Sequence, residues 1–316
     1  MVKTKRTIAI TGGSGFIGIA LVEELIKQGD FRIKILSRRG QDNTNLKQFG
    51  SRVEVVTGDL LVPESLKDFL ESGCTLVHLG YMKDGGENDN LVATKNLITA
   101  CEKAKIKRLI HISTAAVTGR TKVNLINEET PCNPVTQYGV TKLKIEEAIK
   151  KLADGDIDVV ILRPTSVFGH GGGSLVKLYN DIINKRTFKN YLKSCLFNRR
   201  RMNLIYVQNV VAVLIFIYWK NILFAGDIFI ISEDDYPSNN FQFVESVITK
   251  LLESNGYLIP VIPIPLKILS LILKILGRNN INPMANYSPQ KLLDLGFKRT
   301  ILFEDTVIKY IKNERS

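Results

Sequence analysis

The sequence has few residues of the kinds that bind metal ions or form disulfide bonds. Its 316 residues include four cysteines and three histidines: Cys74, Cys101, Cys132, Cys195, His78, His111 and His170. None of these residues follows the C-x-x-C or H-x-x-x-H spacing that brings metal ligands together. We therefore predict a reduced protein without a metal site.

The sequence also lacks an apolar run long enough to cross a bilayer. The longest apolar stretches are Val210–Trp219 and Leu258–Leu276, and neither reaches the roughly 20 uninterrupted apolar residues of a spanning helix. The N-terminal stretch passes from a short basic segment into a predicted strand, without the apolar region of a signal peptide. We expect a cytoplasmic protein without a transmembrane segment.

Acidic residues are fewer than basic ones, with Asp and Glu at 31 against Lys and Arg at 43, for a net charge of +12. Such a surplus attracts phosphates, nucleic acids or anionic lipids at long range. The basic residues are scattered apart from the run Asn198–Arg201, and no zinc-finger, RNP or helix-turn-helix motif accompanies them. A solvated basic surface without a nucleic-acid partner is therefore the expectation.

One apolar stretch has the pattern of an amphipathic helix. After a proline-rich segment, Lys267, Ser270 and Lys274 recur on one helical face of Leu266–Leu276, opposite leucines and isoleucines. Two interpretations stay open, since such a helix either packs over the substrate site or docks on a membrane surface as a peripheral contact.

In the first half of the sequence, short β-rich segments alternate with helical patterns. Strands are predicted at Thr7–Ile10, Ile33–Ser37, Val53–Thr57, Thr75–Leu79, Leu109–Ser113 and Asp158–Leu162. Helices are predicted at Ile17–Gln28, Pro63–Glu71, Asn90–Lys103 and Tyr138–Ala153. This alternation is typical of the α/β class with a Rossmann-type, doubly wound parallel sheet.

The second half loses the alternation. It contains the glycine run Gly169–Gly173, the apolar run Ile205–Trp219, the proline-rich segment and a closing pattern at Ser288–Gly296. We predict a Rossmann-type domain at residues 1–168. A smaller substrate lobe is predicted at 169–316, with segments that return to the first domain.

A glycine-rich motif, Thr11–Gly18, follows the first predicted strand and leads into the first predicted helix. Gly12 allows the tight turn, and Gly15 allows backbone N–H groups to approach a pyrophosphate. Gly18 allows the helix to lie close to the strand, with its N-terminus facing the phosphates. Strand, glycines and helix in this order predict dinucleotide binding.

The second predicted strand ends at Ser37-Arg38-Arg39, where NAD-binding proteins place a carboxylate for the ribose hydroxyls. A guanidinium matches a 2′-phosphate through two hydrogen bonds, so Arg38 favours NADP. NAD remains an alternative because Asp42 lies nearby.

Tyr138 and Lys142 lie four residues apart at the start of a predicted helix, so both project from one face. A nearby ammonium group and an oxidised nicotinamide would both lower the pKa of the phenol from about 10 towards neutrality. Such a tyrosine exchanges a proton with a substrate oxygen while hydride moves to or from a cofactor. Ser113-Thr114 ends a predicted strand at the sheet edge where ligands collect, and a hydroxyl there would orient the substrate.

Together these motifs resemble the extended short-chain dehydrogenase/reductase superfamily, and within it the NAD-dependent epimerase/dehydratase family. The bacterial nucleotide-sugar 4-epimerases and 4-ketoreductases are the most similar branch. The resemblance spans most of the chain and includes Gly58–Leu60, His78–Gly80, Thr94–Leu97, Leu162–Pro164, Val167–Gly169 and Leu295–Phe297. Because members often dimerise through the helices at Asn90–Lys103 and Tyr138–Ala153, the resemblance also implies a homodimer.

The resemblance implies a role for individual residues. Catalysis would rest on Thr114, Tyr138 and Lys142. Cofactor contacts would come from Gly12, Gly15, Phe16, Ile17, Gly18, Arg38, Asp59, Leu60, Leu79, Tyr138 and Lys142. Two departures matter: Ala115-Ala116 replaces the acidic pair of the dehydratases, and Met202 stands where sugar-nucleotide members commonly have an arginine for the diphosphate.

The function implied is that of an NAD(P)-dependent epimerase or reductase acting at C4 of a nucleotide-linked sugar, in surface polysaccharide synthesis. Tyr206–Asn209 is also similar to 3β-hydroxysteroid dehydrogenases, so a hydroxysteroid-type dehydrogenase is a second interpretation. A third is an NADP-binding scaffold or redox sensor without turnover. Intact Thr114, Tyr138 and Lys142 speak against it, since binding alone does not require them.

Overall fold

The computed structural model describes residues 6–121, 123–184, 187–253, 256–278 and 282–315. Its strands, in chain order, are β1 Arg6–Thr11, β2 Phe31–Ser37, β3 Glu54–Thr57, β4 Thr75–His78, β5 Arg108–Ile112, β6 Leu125–Ile126, β7 Asp158–Pro164, β8 Ser166–Phe168, β9 Leu204–Tyr206, β10 Asp227–Ile231 and β11 Asn286–Tyr287. Its α-helices are α1 Phe16–Gln28, α2 Thr44–Lys47, α3 Gly86–Ala104, α4 Gln137–Lys150, α5 Val176–Ile183, α6 Thr187–Phe197, α7 Val207–Trp219, α8 Phe241–Leu251, α9 Leu266–Ile275, α10 Gln290–Asp294 and α11 Phe303–Arg315.

Seven strands form one sheet in the order β10-β7-β5-β4-β1-β2-β3. Within it, β1 pairs in parallel with both β2 and β4. From β1 the sheet extends through β2 and β3 on one side, and through β4, β5 and β7 on the other. This arrangement confirms the predicted α/β Rossmann-type sheet. In such sheets ligands bind at the carboxyl ends of the strands where the direction of winding reverses, which here is between β1 and β4.

Backbone contacts divide the chain into two compact units. The first consists of Met1–Thr114, Gln137–Arg163 and Val211–Phe229, and the second of Ala115–Thr136, Pro164–Val210 and Ile230–Ser316. All the residues expected to bind the cofactor or to catalyse lie in the first unit. The division at residue 168 stays a prediction.

The core of the first unit lies between the sheet and the helices α3 and α4. Leu97 and Cys101 of α3 and Ile145 and Ile149 of α4 are buried in one cluster with strand residues such as Leu109. β4 and β5 are buried along their whole length, as expected for central strands covered on both faces. This packing fixes α4, which carries Tyr138 and Lys142, against the end of β5.

The helix predicted at Pro63–Glu71 is wrong, because only a single 3-10 turn forms at Pro63–Leu66. The hydroxyl of Ser65 donates to the carbonyl oxygens of Asp59 (2.9 Å) and Val62 (2.7 Å). The buried ammonium of Lys34 donates to the carbonyl of Asp68 at 2.6 Å. These side-chain hydrogen bonds occupy backbone carbonyls just before the segment and within it. They therefore compete with the backbone hydrogen bonds of a regular helix.

Candidate active site

The loop between β1 and α1 is built around glycine. Gly12 has a φ of 71°, in the region that favours glycine, and a Cβ there would lie 2.8 Å from the backbone nitrogen of Gly80. The turn is closed by a hydrogen bond from the Gly15 N–H to the Gly12 carbonyl at 3.0 Å. The backbone of the loop therefore lies directly against the end of β4.

The start of α1 has the features of an anion site. A Cβ on Gly18 would lie 2.3 Å from the carbonyl oxygen of Gly12, so only glycine allows α1 to approach the loop this closely. Gly15 precedes α1 in extended conformation, no side chain caps the helix, and its first turn contains no acidic residue. Helix N–H groups without a side-chain cap attract phosphate. The loop and the first turn, which includes Phe16 and Ile17, thus fit the pyrophosphate of a dinucleotide.

The end of β2 presents cations. Arg38 and Arg39 follow the strand directly, and both are exposed. Asp42 lies in the next turn, 4.0 Å from the ammonium of Lys47, with its side chain 94% exposed. The side-chain amide of Asn45 donates to the carbonyl of Ser14 at 3.1 Å, which ties this segment to the glycine loop.

Asp59, Leu60 and Leu79 lie at the ends of the strands on either side of the loop. The Asp59 carboxylate accepts the Leu61 N–H at 3.0 Å, and the Leu60 carbonyl accepts the Asn96 side-chain amide at 2.9 Å. The Leu79 N–H donates to the Thr11 carbonyl at 3.1 Å. The Leu79 bond thus joins the chain after β4 to the end of β1, the Leu60 bond joins the turn after β3 to α3, and the Asp59 bond lies within that turn.

A pair of buried histidines lies beneath the site. His78 of β4 and His111 of β5 are opposite one another, with ring centroids 5.0 Å apart, and His78 Nδ1 bonds the Thr11 hydroxyl at 2.6 Å. Burial and the nearby charge of Lys142 lower the pKa of His78 to about 3 and that of His111 well below its usual value. Both rings are therefore neutral at physiological pH. Among the described residues, no three His, Cys, Asp or Glu side chains are arranged to hold a metal ion.

Thr114 and Tyr138 meet just beyond the end of β5. Their side chains are hydrogen bonded, and this bond lowers the pKa of Tyr138, but desolvation of the phenol is the larger effect and the net change is a rise. The residue nevertheless remains 41% exposed. In the protein without cofactor, desolvation thus outweighs the hydrogen bond from Thr114. The lowering expected from Lys142 together with an oxidised nicotinamide stays a prediction.

Lys142 is almost completely buried one helical turn after Tyr138. Its ammonium donates to the carbonyl of Ile112 at 2.9 Å and lies 5.2 Å from the ring centre of Tyr81. Burial lowers the pKa of Lys142 to about 8, against the attraction of Glu146. The lysine therefore anchors α4 to the last residue of β5 and places one positive charge beside the site.

Two further residues of the site escaped the sequence argument. Tyr81 packs edge-on against Tyr138, with ring centroids 5.0 Å apart, and also contacts Lys142. Glu146 lies one turn after Lys142 and accepts a buried two-pronged hydrogen bond from Arg163 of β7. For Glu146, the spacing of four residues from Lys142 is a signal that the sequence contains. For Tyr81 there is no such signal, because its role depends on a contact between distant segments.

A sequence model described as the NAD dependent epimerase/dehydratase family matches residues 8–231. The chain belongs to this family. The match includes the glycine loop, Thr114, Tyr138 and Lys142, and so confirms the resemblance drawn from the motifs. The family's description supplies NAD as the cofactor and epimerases and dehydratases as its enzymes.

Individual relatives are similar over part of their length. UDP-glucose 4-epimerase of Bacillus subtilis is 30% identical over 199 residues, 56% of this chain and 58% of that protein. Sterol-4-alpha-carboxylate 3-dehydrogenase, decarboxylating, of Candida albicans is 31% identical over 192 residues, 56% of this chain and 55% of that protein. The chain spans about half the length of the curated relatives it matches.

A solved structure is similar over nearly the whole chain. The dTDP-glucose 4,6-dehydratase of Bacillus anthracis in complex with NAD has a TM-score of 0.73 and 16% identity. The similarity covers 98% of this chain and 97% of that one. At this identity it shows a shared fold.

Gly18→Ala should damage the glycine loop, because the new methyl group meets the rigid Gly12 carbonyl at 2.3 Å. We expect a loss of about 1–3 kcal/mol in the free energy of unfolding, as for other overpacked sites. The matched control is Gly155→Ala in the same unit, where the nearest atom to the new Cβ is 3.6 Å away. Urea unfolding of both variants is the measurement, and equal stabilities would contradict the close approach.

Proposed function

We propose that the protein is an NADP-linked epimerase or reductase that acts at C4 of a nucleotide-linked sugar. The observation that carries this proposal is the cluster at the end of β5. There the hydroxyls of Tyr138 and Thr114 are hydrogen bonded, and the buried ammonium of Lys142 lies one turn further along α4. A proton donor, a second hydroxyl and a fixed cation are the groups needed to interconvert an alcohol and a ketone.

The residues around the glycine loop are those we assign to the dinucleotide. Gly12, Gly15 and the first turn of α1 would hold the pyrophosphate, with Asp59, Leu60 and Leu79 around it. When bound, the nicotinamide supplies or accepts the hydride.

The three residues of the cluster have distinct roles. In reduction, the Tyr138 hydroxyl gives its proton to the substrate oxygen while the adjacent carbon gains hydride, so the ketone becomes an alcohol. Thr114 holds the same oxygen, and the charge of Lys142 stabilises the phenolate that forms. Epimerisation uses oxidation and reduction in sequence. The alcohol is oxidised to a ketone, the ketone rotates in the site, and it is then reduced on its opposite face. Since Tyr138 is 41% exposed, solvent can exchange its proton between turnovers.

For the cofactor, we favour NADP over NAD. Arg38 lies exposed directly after β2, where its guanidinium would pair with a 2′-phosphate. The carboxylate of Asp42 lies beyond it, beside Lys47. The family's description and the dehydratase complex name NAD, so this preference is a property we infer for this chain from Arg38.

We infer the substrate class from the second unit as well as from the relatives. We infer a nucleotide diphosphate because the relatives include UDP-glucose 4-epimerases and because the run Arg199–Arg201 is basic. Arg201 donates to the carbonyl of Tyr236 at 2.9 Å, and Arg200 lies over the ring of Phe197. Arg199 is exposed, so we assign it to the phosphates in place of the arginine that Met202 replaces. A role in surface polysaccharide synthesis would follow from such a substrate.

A second candidate is a hydroxysteroid-type dehydrogenase. It is favoured by the similarity to the sterol-4-alpha-carboxylate dehydrogenase, which is as extensive as that to the UDP-glucose 4-epimerase. The same proton-transfer cluster would serve either substrate. The two candidates therefore differ in what the second unit binds.

Tyr138→Phe should reduce turnover by at least about a hundredfold, because it removes the transferable proton. Cofactor affinity should remain near that of the wild type, since the glycine loop is untouched. Turnover and the cofactor dissociation constant are measured on the same preparation. Retention of most of kcat would remove the proposed mechanism and favour a binding scaffold.

Arg38→Asp should shrink or invert the preference for NADP(H). Charge-assisted hydrogen bonds contribute roughly 1.5–3 kcal/mol, so we expect the wild type to prefer NADP(H) by about tenfold to a hundredfold. The control is Arg39→Asp, which makes the same change of charge at the next residue and should matter less. Dissociation constants for both cofactors are the measurement, and a wild type that prefers NAD(H) would refute the role of Arg38.

A UDP-sugar should raise the melting temperature above that with cofactor alone, because a ligand that binds only the folded protein stabilises it. A sterol should leave the melting temperature unchanged. Thermal melts with UDP-, dTDP- and GDP-sugars and with a sterol are compared at one cofactor concentration. A shift with the sterol and none with any nucleotide sugar would establish the second candidate instead.

A further inference from the structure

One segment of the second unit exposes apolar side chains to an unusual degree. Leu258 is fully exposed, Ile262 is 72% exposed and Ile275 is 76% exposed. Residues 256–278 contain no acidic residue, but they contain three basic ones, Lys267, Lys274 and Arg278. The segment, which we call the 256–278 surface, is therefore both apolar and positively charged.

The helix α9 has apolar residues on two opposite sides. Leu269 and Leu273 are buried, and they fix the inner side of α9 within the protein. Ile268, Leu271 and Ile275 are 50%, 58% and 76% exposed, and their spacing of three and four residues places them on one outer face. The inner apolar residues explain how the helix packs. The outer apolar face has no such role in the fold.

Two lysines border the outer face of α9. Lys267 and Lys274 lie seven residues apart, on the same side of the helix, and both are exposed. Long lysine side chains lay their methylene groups along an apolar surface and extend their charge to the adjoining water. The outer face thus has the two components of an interfacial helix, an apolar stripe and a row of cations.

The chain before α9 is held in place although its side chains are exposed. The Ile264 N–H donates to the carbonyl of Cys195 at 2.9 Å, and the Tyr191 hydroxyl donates to the carbonyl of Pro260 at 3.2 Å. Leu258 and Ile262, on either side of Pro260, are therefore presented by a tethered backbone.

We propose that the 256–278 surface docks on a lipid bilayer that carries anionic headgroups. Charge complementarity identifies this occupant, because the exposed apolar side chains are accompanied only by cations within the segment. Among the described residues no helix is long and apolar enough to cross a membrane, and α9 has ten residues. The helix lies along the interface, with Leu271 and Ile275 inserted at the level of the acyl chains.

The test is flotation of the full chain with vesicles. At low salt, the protein should bind vesicles of equal parts phosphatidylcholine and phosphatidylglycerol and bind phosphatidylcholine alone weakly, and salt should weaken the binding. Leu271→Ser should lower the partition coefficient by about tenfold, as expected for the loss of one buried leucine. Leu302→Ser is the matched control, since Leu302 is 57% exposed in the same unit.

A second pair of variants separates local charge from net charge. Lys267→Gln with Lys274→Gln should lower the partition coefficient by about twenty-five-fold, from about fivefold for each lysine. Lys309→Gln with Lys312→Gln makes the same change of net charge on exposed lysines of α11 and should have a much smaller effect.

Three results would overturn the proposal. One is the absence of binding to the anionic vesicles at low salt. Another is an equal loss of binding when Lys309 and Lys312 are replaced, which would mean attraction by the net charge of +12 alone. The last is a dimer that Leu271→Ser dissociates in sedimentation velocity without any vesicle binding, which would assign the surface to a second copy of the chain.

Discussion

The hydrogen bond from the Lys142 ammonium to the Ile112 carbonyl, at 2.9 Å, is the interaction on which the site depends. It joins α4 to the last residue of β5, and thereby sets Tyr138, one turn earlier in α4, beside Thr114, two residues after Ile112. A hydrogen bond from a charged donor contributes roughly 1.5–3 kcal/mol, and here it also offsets part of the cost of burying the ammonium. Core packing of Ile145 and Ile149 holds the rest of α4 on the sheet, and this bond adds a polar link at the turn that follows Tyr138.

The surroundings of Lys142 leave its charge as the dominant one at the end of β5. His78 and His111 are kept neutral by burial and by Lys142 itself, and Tyr138 keeps its proton because its pKa is raised. Glu146 attracts the ammonium, but Arg163 already pairs with that carboxylate through two hydrogen bonds. The end of β5 therefore carries one buried cation, one helical turn along α4 from a phenol that keeps its proton.

The sheet and its glycine loop could be predicted from sequence because their causes are local. A positive φ at Gly12 and the 2.3 Å approach at Gly18 admit no residue but glycine, so the motif is visible in the sequence itself. The prediction of a helix at residues 63–71 was wrong because the side chains of Ser65 and Lys34 donate hydrogen bonds to backbone carbonyls just before that segment and within it. The periodicity of apolar residues gives no sign of such bonds. The contact of Tyr81 and the raised pKa of Tyr138 depend on burial, which arises only when distant segments pack together.

The most direct test of this account is the pKa of the Lys142 ammonium, measured by NMR of carbon-13-labelled lysine side chains through a pH titration. The Lys142→Arg variant assigns the signal by its disappearance. We predict that Lys142 titrates at a pKa of about 8, because it is buried against the Ile112 carbonyl. Exposed lysines titrate at about 10.4. A titration in which the Lys142 signal follows the exposed lysines would contradict the buried, fixed cation from which the site is derived.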